Sequence, residues 1–455
     1  MSSTTNVPQE LRDVLAGGQI ANWLKAVPLP AERSRQLAKL TGSELRQLGV
    51  ILDVDTAEDL LDSVDDDLAA RTVSALDPAV AAPLVDGLDT DHATEVLREM
   101  KDPAREAVLS ALPPERAAAL RALQEWPKDS AAAHMVPEAL LVAPGTPAAQ
   151  AIAEVRQDAA ALRADSRTGA YIYVTDADRQ LLGVVAFRDL VLAEADQQVS
   201  ALMSEDVRWV SALTDAEEAA QALDDFNLVA VPVVDGDQRL LGILTESTAA
   251  DIAEQEATED AERQGGSAPL ELPYLRASPW LLWRKRIGWL LLLFAAEAYT
   301  GTVLRAFEDE MEAVVALAFF IPLLIGTGGN TGTQITTTLV RAMALGDVRL
   351  RDVPAVLAKE LSTGVLIAVT MALAALIRAW MLGVGPEVTL TVSLTVGAIV
   401  LWAAFVASIL PPVLKKVGID PALVSSPMIA TIVDGTGLMI YFWIAHLTLS
   451  QLQGL

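Results

Sequence analysis

The residues with the most chemical promise sit where the chain is most apolar. Asp434 is the sole carboxylate between Val424 and Leu449, within Ser425-Ser-Pro-Met-Ile-Ala-Thr-Ile-Val-Asp-Gly-Thr-Gly437. An ionisable group inside a bilayer costs a few kcal/mol or more, so one that is present there needs a function or a hidden partner. The functional reading is a cation ligand beside a water-filled path; the other is a carboxyl group bonded to a neighbouring helix. A second feature is Gly326-Thr-Gly-Gly-Asn-Thr-Gly-Thr-Gln334, preceded by Pro322. Here proline and glycines are expected to loosen helical bonding and free backbone carbonyls, while Asn330, Thr331, Thr333 and Gln334 add side-chain oxygens. Oxygen ligands suit hard cations, and Mg²⁺, which sheds water reluctantly, suits a site of one or two carboxylates plus carbonyls. The competing reading is a small-residue face for tight helix packing. Glu297, an intramembrane carboxylate in the first span, is a third feature, with Arg378 as one potential partner.

The elements that must position these residues are membrane helices. Ile287–Leu304, Ala313–Leu345, Leu361–Leu382, Val388–Leu414 and Val424–Leu449 each come near the length needed to cross a hydrocarbon core. Five spans are therefore expected within 284–455. Basic residues flank the first span (Arg284, Lys285, Arg286), the second loop (Arg341, Arg349, Arg351, Lys359) and the fourth loop (Lys415, Lys416). The first loop is acidic (Glu308, Asp309, Glu310, Glu312). That bias places residues 1–283 in the cytosol and the C-terminus outside a cell membrane.

The preceding half divides again. Residues 1–128 are rich in Ala, Leu, Asp, Glu and Arg, in loosely repeated short helices that start near proline, as at Leu112-Pro-Pro-Glu-Arg-Ala-Ala-Ala-Leu120. One such helix pair cannot bury its own apolar face, so a stacked superhelix is expected. Residues 129–199 and 200–252 read as two copies of a small α/β module. Ala170–Asp176 and Leu181–Ala186 form one strand pair, and Val229–Asp235 and Leu240–Thr245 form the other. Residues 253–283 hold a charged helix ending at Gly265-Gly266.

Charge follows the same division. The 455-residue chain carries −27, yet from Arg284 onward eleven Lys/Arg balance eleven Asp/Glu. The acidic surface of the first 283 residues repels nucleic acid and attracts cations. With no Cys and three scattered His, thiolate and His-built metal sites are not expected. No nucleophile–base set or phosphate-cradling loop indicates an enzyme. One Asp per chain is little charge for a divalent ion, and a twofold homodimer would bring two to one axis.

Phe320-Ile-Pro-Leu-Leu-Ile-Gly-Thr-Gly-Gly-Asn-Thr-Gly-Thr-Gln334 and Asp420-Pro-Ala-Leu-Val-Ser-Ser-Pro-Met-Ile-Ala-Thr-Ile-Val-Asp-Gly-Thr-Gly-Leu438 resemble the second- and fifth-helix motifs of MgtE-type Mg²⁺ channels. The strand-pair copies resemble tandem CBS modules, and Glu256-Ala-Thr-Glu-Asp260 is similar to the family's entry into its connecting "plug" helix. The resemblance covers essentially the full chain. It implies a Mg²⁺-selective homodimer, with Mn²⁺ and Co²⁺ as further candidate cargo, and its pore between second and fifth helices. Asp434 matches the family's pore aspartate and Asn330 its motif asparagine; Thr331, Thr333, Gly326, Gly329 and Ala430 complete the candidate pore set. It also implies that cytosolic Mg²⁺ clamps acidic faces together and closes the channel, for which Glu217, Glu218, Asp224, Asp225, Asp251, Glu254, Glu256, Glu259 and Asp260 are candidates.

Three departures stand out. Thr333 replaces a second asparagine, which bears on selectivity. Ser247 and Thr248 replace an acidic pair, which weakens Mg²⁺ gating. The nucleotide motif of a CBS pair is halved in both copies, Ala186 with Asp189 and Thr245 with Thr248, which argues against ATP. Two other functions remain open from sequence: an exchanger or exporter driven by Na⁺ or H⁺, with Glu297 as carrier, and a membrane-anchored CBS sensor.

Overall fold

The computed structural model describes residues 11–17, 20–157, 171–270, 272–423 and 426–452. Ala170, Val424 and Ser425, which bound expected elements, lie outside the described residues. The chain forms two compact units, Met1–Glu254 and Gln255–Leu455.

The first unit begins with short helices running from Leu11–Gly17 to Pro114–Gln124. Local signals start them. Pro30, Pro78, Pro103 and Pro114 stand in first turns, where a missing N–H costs nothing. Thr41 with Glu44 and Asp53 with Thr56 form reciprocal capping boxes. Each helix is too short to be stable alone. Their apolar faces merge into one core from Leu11 through Leu48, Leu68 and Leu97 to Leu120, as stacking predicts.

Two three-stranded sheets follow. In the first, β1 (Leu141–Val142) lies parallel to β2 (Tyr171–Thr175), which pairs antiparallel with β3 (Leu181–Ala186). In the second, β4 (Val210–Ser211), β5 (Ala230–Val234) and β6 (Leu240–Thr245) repeat that order. The duplication extends to detail. Both antiparallel registers shift at the end of the middle strand. Asp176 accepts from the backbone of Asp178 and Gln180, and Asp235 from Asp237 and Arg239. The two hairpins then bond reciprocally, Leu181 N–H to Gln238 and Leu240 N–H to Arg179. Helix Glu246–Gln264 continues through the expected 252/253 boundary and stops before Gly265.

The second unit holds five helices long and apolar enough to cross a membrane: Pro279–Ala306, Val315–Ala344, Leu350–Leu382, Pro386–Lys416 and Ser426–Thr448, hereafter the first to fifth membrane helices. The second, fourth and fifth form the buried centre, and the first and third are peripheral. Val392, Val396, Ile399, Ile429, Val433, Tyr441 and Phe442 fill that centre. Polar pins hold the fifth helix: Tyr441 Oη donates to the Leu317 carbonyl (3.0 Å) and Trp402 Nε1 to Thr436 Oγ1 (2.8 Å).

The expected loosening at Gly326–Gln334 is not what forms. The helix is uninterrupted from Ile321 to Ala344. Pro322 sits in its first turn, where no N–H partner is lost. Thr327 and Thr331 turn their hydroxyls back onto the carbonyls of Leu323 and Thr327. The glycines therefore provide space rather than free carbonyls.

Candidate functional site

The glycines let the fifth membrane helix approach the second. A Cβ on Gly332 would lie 2.4 Å from Ile429 Cγ2, and one on Gly328 2.7 Å from both Ile399 and Val433. Only hydrogen fits at such an approach. Gly329 lies against Ala430 and faces Asp434, whose Oδ1 is 3.8 Å from where a Cβ would stand. The packing reading of this motif and the carboxylate reading of Asp434 are thus two sides of one seam.

Asp434 is half-buried there, and its Oδ1 is buried without a hydrogen-bond partner among the described residues. A buried carboxylate oxygen normally finds a donor. This one borders the small residues Gly329 and Ala430 and lies within electrostatic reach of Glu297. It is thus available to a ligand that brings its own positive charge or donors.

The second helix sorts the other candidates by face. Thr331 is buried, with its hydroxyl spent on its own helix. Thr333 is half-buried. Gly326, Asn330 and Gln334 recur at four-residue spacing on a face exposed in the single protomer. Gly326, Gly329 and Ala430 all lie within uninterrupted helices, so their carbonyls are not released by unwinding.

Among the described residues, the acidic candidates that precede the membrane helices are not gathered. Among the described residues, no three His, Asp or Glu side chains are grouped to hold a metal ion. Glu217 and Glu218 occupy the first turn of helix Ala216–Asp225, capped by Asp215, and Asp224 and Asp225 are exposed at its end. Asp251 and Glu254 are exposed and Glu256 half-buried on helix Glu246–Gln264. Glu259 pairs with Arg263 (2.8 Å), which also reaches Asp420 (3.0 Å). Burial, with Asp420 nearby, raises the pKa of Asp260 above the ordinary carboxylate value.

A group the sequence reading passed over lies on helix Thr90–Glu99. Thr248 Oγ1 donates to Asp91 (3.0 Å), joining that helix to the start of helix Glu246–Gln264. His92 contacts Asp62 (2.6 Å) and Asp66 (3.7 Å), and Glu95 contacts His134 (3.0 Å). Burial, with Glu95 close by, pushes Asp66 up to about 6. Burial alone would lower the His92 pKa, but Asp62, Asp66 and Glu95 together raise it. The signal was legible: Asp91, Glu95 and Glu99 fall at four-residue intervals on one helical face.

Comparison with known proteins agrees with this arrangement. Residues 321–444 match a family model described as a divalent cation transporter, MgtE; residues 29–129 match the MgtE intracellular N domain, and 199–253 a CBS domain. The magnesium transporter MgtE of Thermus thermophilus is 37% identical over 362 residues, covering 79% of each chain. The chain belongs to the MgtE family. The magnesium transporter MgtE of Bacillus subtilis is 29% identical over 400 residues, covering 87% of this chain and 86% of its own. Among solved structures, the cytosolic domain of the Mg²⁺ channel MgtE in complex with ATP is 27% identical, covers 53% of this chain and 98% of its own, and has a TM-score of 0.47. As an MgtE family member with five candidate spans, the chain is a multi-pass membrane protein and a transporter rather than an enzyme.

Proposed function

We propose that this protein carries Mg²⁺ across the cell membrane along a path beside Asp434. The observation that carries the reading is the unpartnered Asp434 oxygen at a glycine-lined seam between the second and fifth membrane helices. Magnesium is the ion named for its relatives in T. thermophilus and B. subtilis. A hydrated divalent cation suits the site because one carboxylate plus neutral oxygens can grip its water shell without stripping it.

The active form in this reading is a homodimer. The face of the second helix carrying Gly326, Asn330 and Gln334 is polar and exposed in one protomer, which would be costly against lipid. Pairing about a twofold axis turns that face to a shared path and doubles the carboxylates. The distribution of Lys and Arg supports a cytosolic first unit and an outward C-terminus. ATP is not required by this reading. At the would-be ribose position, Thr245 Oγ1 is shared with Ser247 and Thr248, and Thr248 is engaged by Asp91.

The test is Mg²⁺ uptake by the purified full chain in liposomes, wild type against Asp434→Ala. The expected result is a fall in flux of at least about a hundredfold, with assembly retained. Unchanged flux removes Asp434 from the path.

A further inference from the structure

The first membrane helix carries, near its N-terminal end, two arginines that the ion path does not use. Arg284 and Arg286 are exposed, and among the described residues neither has a hydrogen-bond or ion-pair partner. Between them runs an outward stripe of the same helix. Trp280, Trp283, Ile287, Leu290, Leu291 and Phe294 recur there at spacings of three and four. All are exposed except Ile287, which is half-buried. At about 100° per residue, Arg284 and Arg286 fall on opposite flanks of that stripe, close to its top. Trp280 stacks there on Trp283 with ring centroids 4.6 Å apart, yet the two residues remain 68% and 49% exposed. Tyr274 and Leu275, just before the helix, are exposed as well. Tryptophan offers apolar area and an indole N–H together, which suits the boundary between headgroups and chains. From Arg284 to Phe294 the stripe descends about 15 Å, half the thickness of a hydrocarbon core, so it spans one leaflet. The basic end of the fourth helix is built differently. Lys415 reaches the Met343 carbonyl (3.5 Å), and the stacked rings of that helix, Trp402 and Phe405, lie about three turns earlier.

The arginine pair and the stripe ask for one occupant with a compact negative charge and a long apolar tail. Guanidinium groups grip phosphate through paired N–H bonds, and a basic pair at a membrane surface favours anionic over zwitterionic lipid. A second copy pressed on this face about a twofold axis would bring arginines toward arginines. We propose that Arg284 and Arg286, with the stacked Trp280 and Trp283, bind the headgroup of an anionic phospholipid whose acyl chain lies along the stripe below. In the orientation proposed above, that lipid belongs to the cytosolic leaflet. The site depends on the membrane placement of the first helix and not on the ion path.

The experiment titrates the purified full chain, in a neutral detergent, with phosphatidylglycerol or phosphatidylcholine carrying dibrominated chains, and follows quenching of tryptophan fluorescence. In wild type, half-quenching is expected at a lower concentration of the anionic lipid. Arg284→Gln with Arg286→Gln should raise that concentration about twentyfold, and either change alone about fivefold, with the phosphatidylcholine titration unmoved. Arg284→Lys with Arg286→Lys keeps the charge and should stay within about threefold of wild type. Trp280→Phe with Trp283→Phe should remove the quenching that saturates first, which locates the lipid at these rings. Lys415→Gln with Lys416→Gln should leave the anionic titration unchanged. A wild type with no preference between the two lipids overturns the proposal without recourse to any variant. So does an equal loss on substitution of Lys415 and Lys416, which would reduce the effect to general surface charge. Loss of self-assembly in the Trp280→Phe, Trp283→Phe protein would overturn it in favour of a protein–protein face.

Discussion

In the helical domain, the acidic face of helix Thr90–Glu99 meets a partner at every turn: Thr248 at Asp91, His134 at Glu95, and Lys128 at Glu99 (3.9 Å). In the membrane unit, Asp434 keeps an oxygen buried and unbonded among the described residues, and its electrostatic neighbour is another acid. The two regions invert the usual expectation. Carboxylates near water can stay unpaired at little cost, whereas one inside a bilayer has every reason to find a donor. The paired acids tie elements together. The unpaired one borders Gly329 and Ala430 and keeps one oxygen without a partner among the described residues.

That contrast can be broken by filling the seam. Gly332→Val puts a side chain where Ile429 is 2.4 Å from the Cβ position, so it should destabilise the membrane unit by about 1–3 kcal/mol and abolish Mg²⁺ flux. Thermal unfolding in detergent and liposome uptake measure the two effects. Gly326→Ala, with nothing within 4 Å in the protomer, should not lower stability, and a loss there would show that this face packs against a second copy.

The paired side is tested by Thr248→Val. It strips a donor from Asp91, whose burial already raises its pKa. A cost of about 1–2 kcal/mol is expected, seen as faster hydrogen exchange in helix Thr90–Glu99. If protection there is unchanged, the Thr248 contact does not hold that helix.

The smallest effect concerns protons. Asp66 and His92 both hold protons more tightly folded than unfolded. Their contribution therefore favours folding at low pH and fades as pH rises. For Asp66 the window runs from the ordinary aspartate value of 3.8 to about 6; for His92 it lies above 6.5. Exchange in helix Thr90–Glu99, corrected for intrinsic rates, should speed up between pH 5 and 8. Asp66→Asn should remove the lower part of that trend. The effect is about 1 kcal/mol or less, because the Asp66 side chain is 43% exposed and screened by solvent. A trend of opposite sign would mean that the cluster holds protons less tightly folded than unfolded.

Much of the architecture was readable in advance because it rests on local patterns. Long apolar runs gave five spans, repeated strand–turn–strand units gave two matching sheets, and prolines marked helix starts. The site was legible only in part. Asp434 stood out by type and place, but the glycine motif suggested an opened helix, and the structure keeps it continuous. Glycine weakens a helix in isolation; here the fifth helix fills the space that glycine leaves, and tertiary packing outweighs the local penalty.

What the sequence by itself determined is the list of elements and the kinds of oxygen they carry, since hydropathy, periodicity and capping act over a few residues. What only the tertiary structure decided is which oxygens are spent and which are idle. Thr331 is turned onto its own helix, Thr248 is given to Asp91 from 157 residues away, and Thr300 Oγ1 and Asp434 Oδ1 have no partner among the described residues. Hydrogen-bond satisfaction depends on groups far apart in the chain, so it can be counted only once the helices have packed.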